Sequence, residues 1–288
     1  MKINIITDNS ASLSMDFIER EKLIVLPLLC FFEDESYNIM ELSYYDKFYE
    51  KLVNSTEFPK TSQPSLGEIL TSFKEALKDD PDYVFVMTIS KALSGFYKNS
   101  LLAKEMLNDE RIIIVDTRTT TVNLKRMIEY LCELRKLNLS KDIILDRLYK
   151  MREGQEIYFI PENLEYLYRG GRLSKASAAI GDLLKICPII TLFEDGSLGL
   201  YKKIRGEKKA LKALESYISE DIKYISVVYV LKKEKAIELR DRIQNKFPDI
   251  EVLFEEVSPN IGCHIGPGTV GILFGTYKNL EEDDETVN

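Results

Sequence analysis

The chain reads as an α/β protein of two domains. The N-terminal domain has a mostly parallel sheet with helices on both faces; the C-terminal domain is α+β with a mixed sheet. Three observations predict this. Over the first half, apolar β-branched stretches alternate with segments of helical spacing, the order that builds parallel sheets. The second half carries a hairpin signal, Glu194-Asp-Gly-Ser197, between two apolar runs, which calls for antiparallel neighbours. And 288 residues with 45% hydrophobic content suffice for two domains of ordinary size. The boundary falls near Arg152–Gly154, giving domains 1–153 and 154–288.

Taken in order, Lys2–Ile6 is a short apolar strand ending in the polar turn Thr7–Ser10. Leu23–Phe32 is one extended segment, apolar on both faces and so buried. Tyr44–Val53 has helical spacing, and Pro59–Ser65 is a loop rich in hydroxyls and prolines. Ser65 caps a helix to about Lys78, with Ile69, Leu70, Phe73 and Leu77 on one face. Tyr83–Ile89 is the clearest strand, and it runs through Ser90–Gly95 into a helix over Phe96–Leu107. Arg111–Val115 is a strand, Asp116–Thr121 caps a helix through Arg135, and Ser140 caps another to Arg152.

Glu156–Ile160 opens the second half as a strand, followed by a short helix within Pro161–Tyr168 that ends at Gly170-Gly171. Ser174 caps a small-residue helix over Ala176–Gly181. Ile186–Phe193 and Leu198–Ile204 form the hairpin. A helix (Lys208–Ile218), a strand (Tyr224–Val230), a helix (Glu234–Lys246) and a strand (Glu251–Val257) complete the pattern. Asn260–Gly271 holds the single histidine, His264, and reads as a rigid glycine-lined loop, either a tight turn or a ligand contact.

Composition excludes several classes. A formal charge of −8 argues against non-specific nucleic-acid binding and limits membrane contact to the transient. Four scattered cysteines and one histidine make no metal-site spacing, and they suit a reducing cytoplasm. Cys263, beside His264, reads as a packing residue. The longest apolar run, Leu23–Phe32, is about half a membrane span and holds Pro27. The acidic stretch Glu281–Glu285 reads as a frayed tail.

Candidate chemistry gathers where a parallel sheet places it, at the loops after the carboxyl ends of the strands. Thr7–Ser10, Ser90–Gly95 and Asp116–Thr121 fall there, and Thr61–Ser65 precedes a helix that reaches the same edge. Hydroxyls and helix N-termini favour an anion, and Thr61, Ser94 and His264 can donate to a carboxylate or phosphate. Each of these residues also has a plain reading as a cap or turn. Arg169-Gly-Gly-Arg172 and Lys202-Lys-Ile-Arg-Gly206 are phosphate clamps, docking patches or solvated turns. Gly266-Pro-Gly-Thr-Val-Gly271 matches G-x-G-x-x-G but lacks room for a βαβ unit, and no Walker A loop occurs. Asp8, Ser94 and His264 suggest a hydrolase triad, although G-x-S-x-G is absent around Ser94.

Several of these pieces, in this order, resemble the DegV family, the fatty-acid-binding proteins that serve as the B subunit of bacterial fatty acid kinase. They are Ile6-Thr-Asp-Asn-Ser10, Thr61-Ser-Gln-Pro-Ser65, Ile89-Ser-Lys-Ala-Leu-Ser-Gly95, Val115-Asp116, Arg169-Gly-Gly-Arg-Leu-Ser174, Lys185-Ile-Cys-Pro-Ile189, Arg205-Gly206 and His264-Ile-Gly-Pro-Gly268. The resemblance implies a fatty acid such as palmitate, stearate or oleate held between the domains. It implies a carboxylate bound by Thr61, Ser94 and His264, with Ser62, Gly95 and Gly266 alongside, and Arg172 and Arg205 facing the carboxylate and the partner. It implies presentation of that carboxylate to a separate kinase subunit, with no catalysis by this chain alone. The alternative is a stand-alone lipid-ester hydrolase using Ser94 and His264. Two stretches depart from the family's usual pattern: Thr119-Thr-Thr-Val-Asn-Leu-Lys-Arg126, where small residues and glycine are usual, and Asn9 with Ser12 in the first motif.

Overall fold

The computed structural model describes residues 1–32, 35–37, 45–173 and 186–276. A four-stranded parallel sheet, in the order β2-β1-β6-β7, is built from β1 (Ile3–Asp8), β2 (Ile24–Leu26), β6 (Tyr83–Thr88) and β7 (Ile112–Asp116). Its strands are apolar on both faces, as buried parallel strands must be. Ile6, Val84 and Val86 point to one face, where α3 (Leu66–Leu77) and α4 (Phe96–Leu107) pack through Ile69, Phe73, Phe96 and Ala103. Ile3, Ile5, Phe85 and Met87 point to the other, beneath α5 (Thr121–Leu134) and α6 (Lys141–Glu153). The period of two along β1 and β6 sorts the side chains.

Local signals placed these helices well. Ser65 forms a capping box with Glu68 at the start of α3, and Ser140 Oγ accepts from Ile143 N at 3.4 Å at the start of α6. At α5 the expected cap is missing: Thr120 makes no side-chain cap bond.

Leu23–Phe32 is not one segment. Pro27 has no N–H to give to a ladder, and the chain leaves the parallel sheet there. Leu28 is held instead by Asn9, whose Oδ1 accepts from Leu28 N at 2.8 Å. The following strand, β3 (Leu29–Phe32), pairs antiparallel with β4 (Glu35–Tyr37) and β5 (Lys60–Ser62). Its burial alternates, with Cys30 and Phe32 inside, rather than being buried on both faces. The stretch expected to be a loop, Pro59–Ser65, thus contributes a strand.

The second sheet has six strands in the order β10-β9-β8-β13-β11-β12. They are β8 (Gln155–Ile160), β9 (Ile186–Leu192), β10 (Leu198–Arg205), β11 (Tyr224–Tyr229), β12 (Val252–Glu256) and β13 (Val270–Gly275). The β9–β10 hairpin is antiparallel, as its turn residues require, and β11–β12 is the parallel pair. Helices α8 (Glu207–Tyr217) and α9 (Glu234–Lys246) cover one face. The opposite face packs against α2 (Tyr45–Asn54), β3, α7 (Glu165–Arg169) and α10 (Pro259–Ile265). N-terminal elements therefore close the core of the C-terminal sheet. The Ala176–Gly181 helix and the Glu281–Glu285 tail lie outside the described residues.

Asn260–Gly271 is the largest departure from expectation. It is not a loop but the end of a helix, a turn and the start of a strand. That strand, β13, is central, pairing with both β8 and β11.

Tyr49 is fully buried on α2 and donates from its hydroxyl to Val257 O at 2.5 Å, tying the N-terminal cover to the sheet. Tyr49→Phe keeps the packing and strands that carbonyl. Chemical denaturation is expected to show a loss of about 1–2 kcal/mol; an unchanged midpoint would assign the bond no net worth.

Candidate functional site

Thr61 lies on β5, opposite Cys30 of β3. His264 is the penultimate residue of α10. The two residues, 203 positions apart, meet through a 2.8 Å hydrogen bond between Thr61 Oγ1 and His264 Nε2. Both ends of this contact are anchored. Pro259 fills the first turn of α10, where a missing N–H costs nothing. Asn260 Nδ2 donates to Asn9 Oδ1 at 2.8 Å, the same oxygen that receives Leu28 N. One buried amide thus pins the end of β1, the break after Pro27 and the first turn of α10.

The imidazole is 9% exposed, and its Nδ1 is buried with no hydrogen-bond partner among the described residues. Nδ1 packs onto Gly170, where a Cβ would sit 2.4 Å away, so any side chain here must displace the imidazole. Gly266 ends α10 at φ +81°, and a Cβ there would meet the Tyr166 ring at 2.5 Å.

A polar cavity of about 320 Å³ opens beside this pair, lined by Thr61, Ser62, Ser94, Arg172, Asn260 and His264 among others. Arg172 donates from Nε to Leu93 O at 3.1 Å and from its terminal nitrogen to Gly170 O. No carboxylate pairs with it among the described residues, and burial pulls its guanidinium below its ordinary value. Burial outweighs the pull of the nearby Cys263, and a partly desolvated cation of this kind favours an anionic ligand.

Leu93, Ile261 and His264 also line a second cavity, of about 60 Å³. Its walls are apolar, with Ile157, Phe159, Val228 and Leu273 from the six-stranded sheet. Thr120 and Thr121, at the start of α5, close it from the N-terminal half. The polar cavity and the apolar one therefore adjoin at Leu93, Ile261 and His264.

Of the residues singled out from sequence, Thr61, Ser62, Ser94, Arg172 and His264 come together around the polar cavity. Gly95 stands behind it, its N–H donating to Gln63 Oε1 at 3.0 Å. Gly266 caps α10, and Arg205 is at the exposed end of β10; neither lines the two cavities. Gln63 and Asn260 line the site although neither was singled out as a ligand contact. Gln63 sits inside the Thr-Ser-Gln-Pro-Ser motif, and Asn260 opens the histidine-bearing stretch, so both carried a signal. The apolar wall carried none, because its residues are ordinary core types.

The arrangement does not make a hydrolase triad. Ser94 Oγ accepts from Phe96 N at 3.3 Å, and among the described residues no hydrogen bond joins it to His264. Asp8 is fully buried and holds Ser10 N, Ser10 Oγ and Ile89 N. Burial raises its carboxyl, against the pull of those bonds. It fixes the loop after β6 rather than serving an imidazole.

A family model described as "Uncharacterised protein, DegV family" matches residues 2–276. The chain belongs to the DegV family. A DegV domain-containing protein of Halalkalibacterium halodurans is 32% identical over 283 residues, covering 96% of this chain and 99% of the relative. Among solved structures, the fatty acid binding DegV family protein from Streptococcus agalactiae matches with a TM-score of 0.86 at 28% identity, over 96% of this chain and 100% of that one. DegV, a fatty acid binding protein from Bacillus subtilis, matches with a TM-score of 0.83 at 29% identity, over 96% and 99% of the two chains.

With one histidine in the chain, its ring resonances report the site alone. Thr61→Val is expected to shift them by removing the Nε2 partner. Gly170→Ala is expected to displace the ring and to cost about 1–3 kcal/mol of stability, as overpacking does. An unmoved imidazole signal in both variants would contradict the described geometry.

Proposed function

We propose that this protein binds a free long-chain fatty acid. Thr61, Ser94 and Arg172 contact the carboxylate, His264 acts on it through Thr61, and the apolar cavity between domains 1–153 and 154–288 receives the start of the acyl chain. Arg172 carries the reading: a half-buried guanidinium, without a carboxylate partner among the described residues, on a polar cavity that adjoins an apolar one. Relatives of this fold at 28–29% identity are named as fatty acid binding proteins.

The chemistry is coherent. Burying an acyl chain gains roughly 0.8 kcal/mol per methylene, about 12 kcal/mol gross for some sixteen carbons, before immobilisation costs. The head group then needs orientation rather than strength. In the tautomer with the proton on Nε2, His264 donates to Thr61, whose own hydrogen is free for a carboxylate oxygen.

The finer reading is that the protein presents this carboxylate to a separate ATP-dependent fatty acid kinase subunit, which makes acyl phosphate for phospholipid synthesis. The hydroxyl and guanidinium donors favour an acid over an ester, and Arg205 is exposed for docking. The carrier would work in the cytoplasm; among the described residues no helix is long and apolar enough to cross a membrane.

Native mass spectrometry of the purified protein is expected to show a bound fatty acid. An empty protein that also ignores added palmitate, stearate and oleate would sink the proposal. Arg172→Gln should weaken palmitate binding by about tenfold or more, the worth of one charge-assisted hydrogen bond. Acyl-phosphate formation should require an added kinase subunit.

A further inference from the structure

Thr121 is held in a conformation that its side chain disfavours. Its φ is +51°, in the left-handed region. Eight non-glycine residues among those described have positive φ, and Thr121 alone is β-branched. Ser12, Lys22, Asn108 and Asn138 adopt this conformation where helical segments end, where left-handed geometry is usual. Thr121 instead begins a helix, and the preceding Thr120 offers no side-chain cap bond. A β-branched residue here is a genuine outlier, and glycine would adopt the same backbone without strain.

The strain sits on the wall of the apolar cavity, where Thr121 is 7% exposed. Its hydroxyl is committed, donating to Thr120 O at 2.8 Å. What remains of the side chain to shape the wall is carbon. The cavity, about 60 Å³, has room for only a handful of water-sized groups, so one methyl on its wall takes a large part of that room. Strain of this kind persists where the surroundings over-determine it, and it concentrates at ligand sites.

We propose that Thr121 is a specificity-determining residue: its side chain sets the calibre of the acyl cavity and restricts the ligand to slender, unbranched chains. The inference rests on the fatty-acid reading above and adds to it the class of chain. Bulk supplied by Thr121 rejects a methyl branch, and the strained backbone is the cost of putting that bulk there.

The test compares wild type, Thr121→Gly and Thr121→Ser by displacement of a fluorescent fatty acid. The competitors are a straight-chain C16 acid and a methyl-branched acid of the same main-chain length. Wild type is expected to favour the straight chain. Thr121→Gly should raise the branched-to-straight affinity ratio about tenfold, the low end for one methyl in an apolar pocket. Thr121→Ser keeps the hydroxyl and loses only the methyl, and it should move the ratio in the same direction. Thr121→Gly should melt close to or above wild type, because glycine relaxes the backbone. Wild type that already favours the branched acid, or a ratio unchanged in Thr121→Gly, overturns this inference alone. Wild type that binds neither acid overturns the fatty-acid reading, and this inference with it.

Discussion

The inner face of the six-stranded sheet is apolar and has to be covered. Helices α8 and α9 occupy the other face, so the cover comes from elsewhere: α2 and β3 from the N-terminal half, with α7 and α10. This requirement decides most of the architecture. It draws the chain out of the parallel sheet at Pro27 and brings β5 across to the C-terminal half. Thr61 then meets His264, and the site exists because two sheets share one hydrophobic cluster.

Asn9 carries out the join in polar terms. Its side chain is buried and is spent on Leu28 and Asn260. Buried amides are stable only when satisfied, so this one fixes three chain segments relative to one another. Asp8 does similar work one residue earlier, holding Ile89 N and so the loop that carries Ser94. The polar residues at the carboxyl end of β1 thus position the polar cavity's residues without lining that cavity.

The site itself is built from unspent capacity. Among the described residues, Arg172 is bonded to backbone carbonyls and to no carboxylate, His264 Nδ1 has no hydrogen-bond partner, and Thr121 endures a left-handed backbone. Each is a local cost. They lie around two adjoining cavities.

Helices α3, α4, α6 and α9 were legible in the sequence, because caps and helical periodicity are local. So was the parallel sheet, through the alternation of β-branched strands with helices. The polar residues Thr61, Ser94, Arg172 and His264 stood out as parts of motifs, and they do share a cavity. The rest depended on partners far away in the chain. Lys60–Ser62 is a strand only because β3 lies beside it, and the glycine-bearing Val270–Gly275 is the central strand only because β8 and β11 flank it. A residue's side-chain type and its helical neighbours are properties of the sequence. A strand's pairing and a cavity's walls are contacts between segments that are separated in the chain, and only the folded chain decides them.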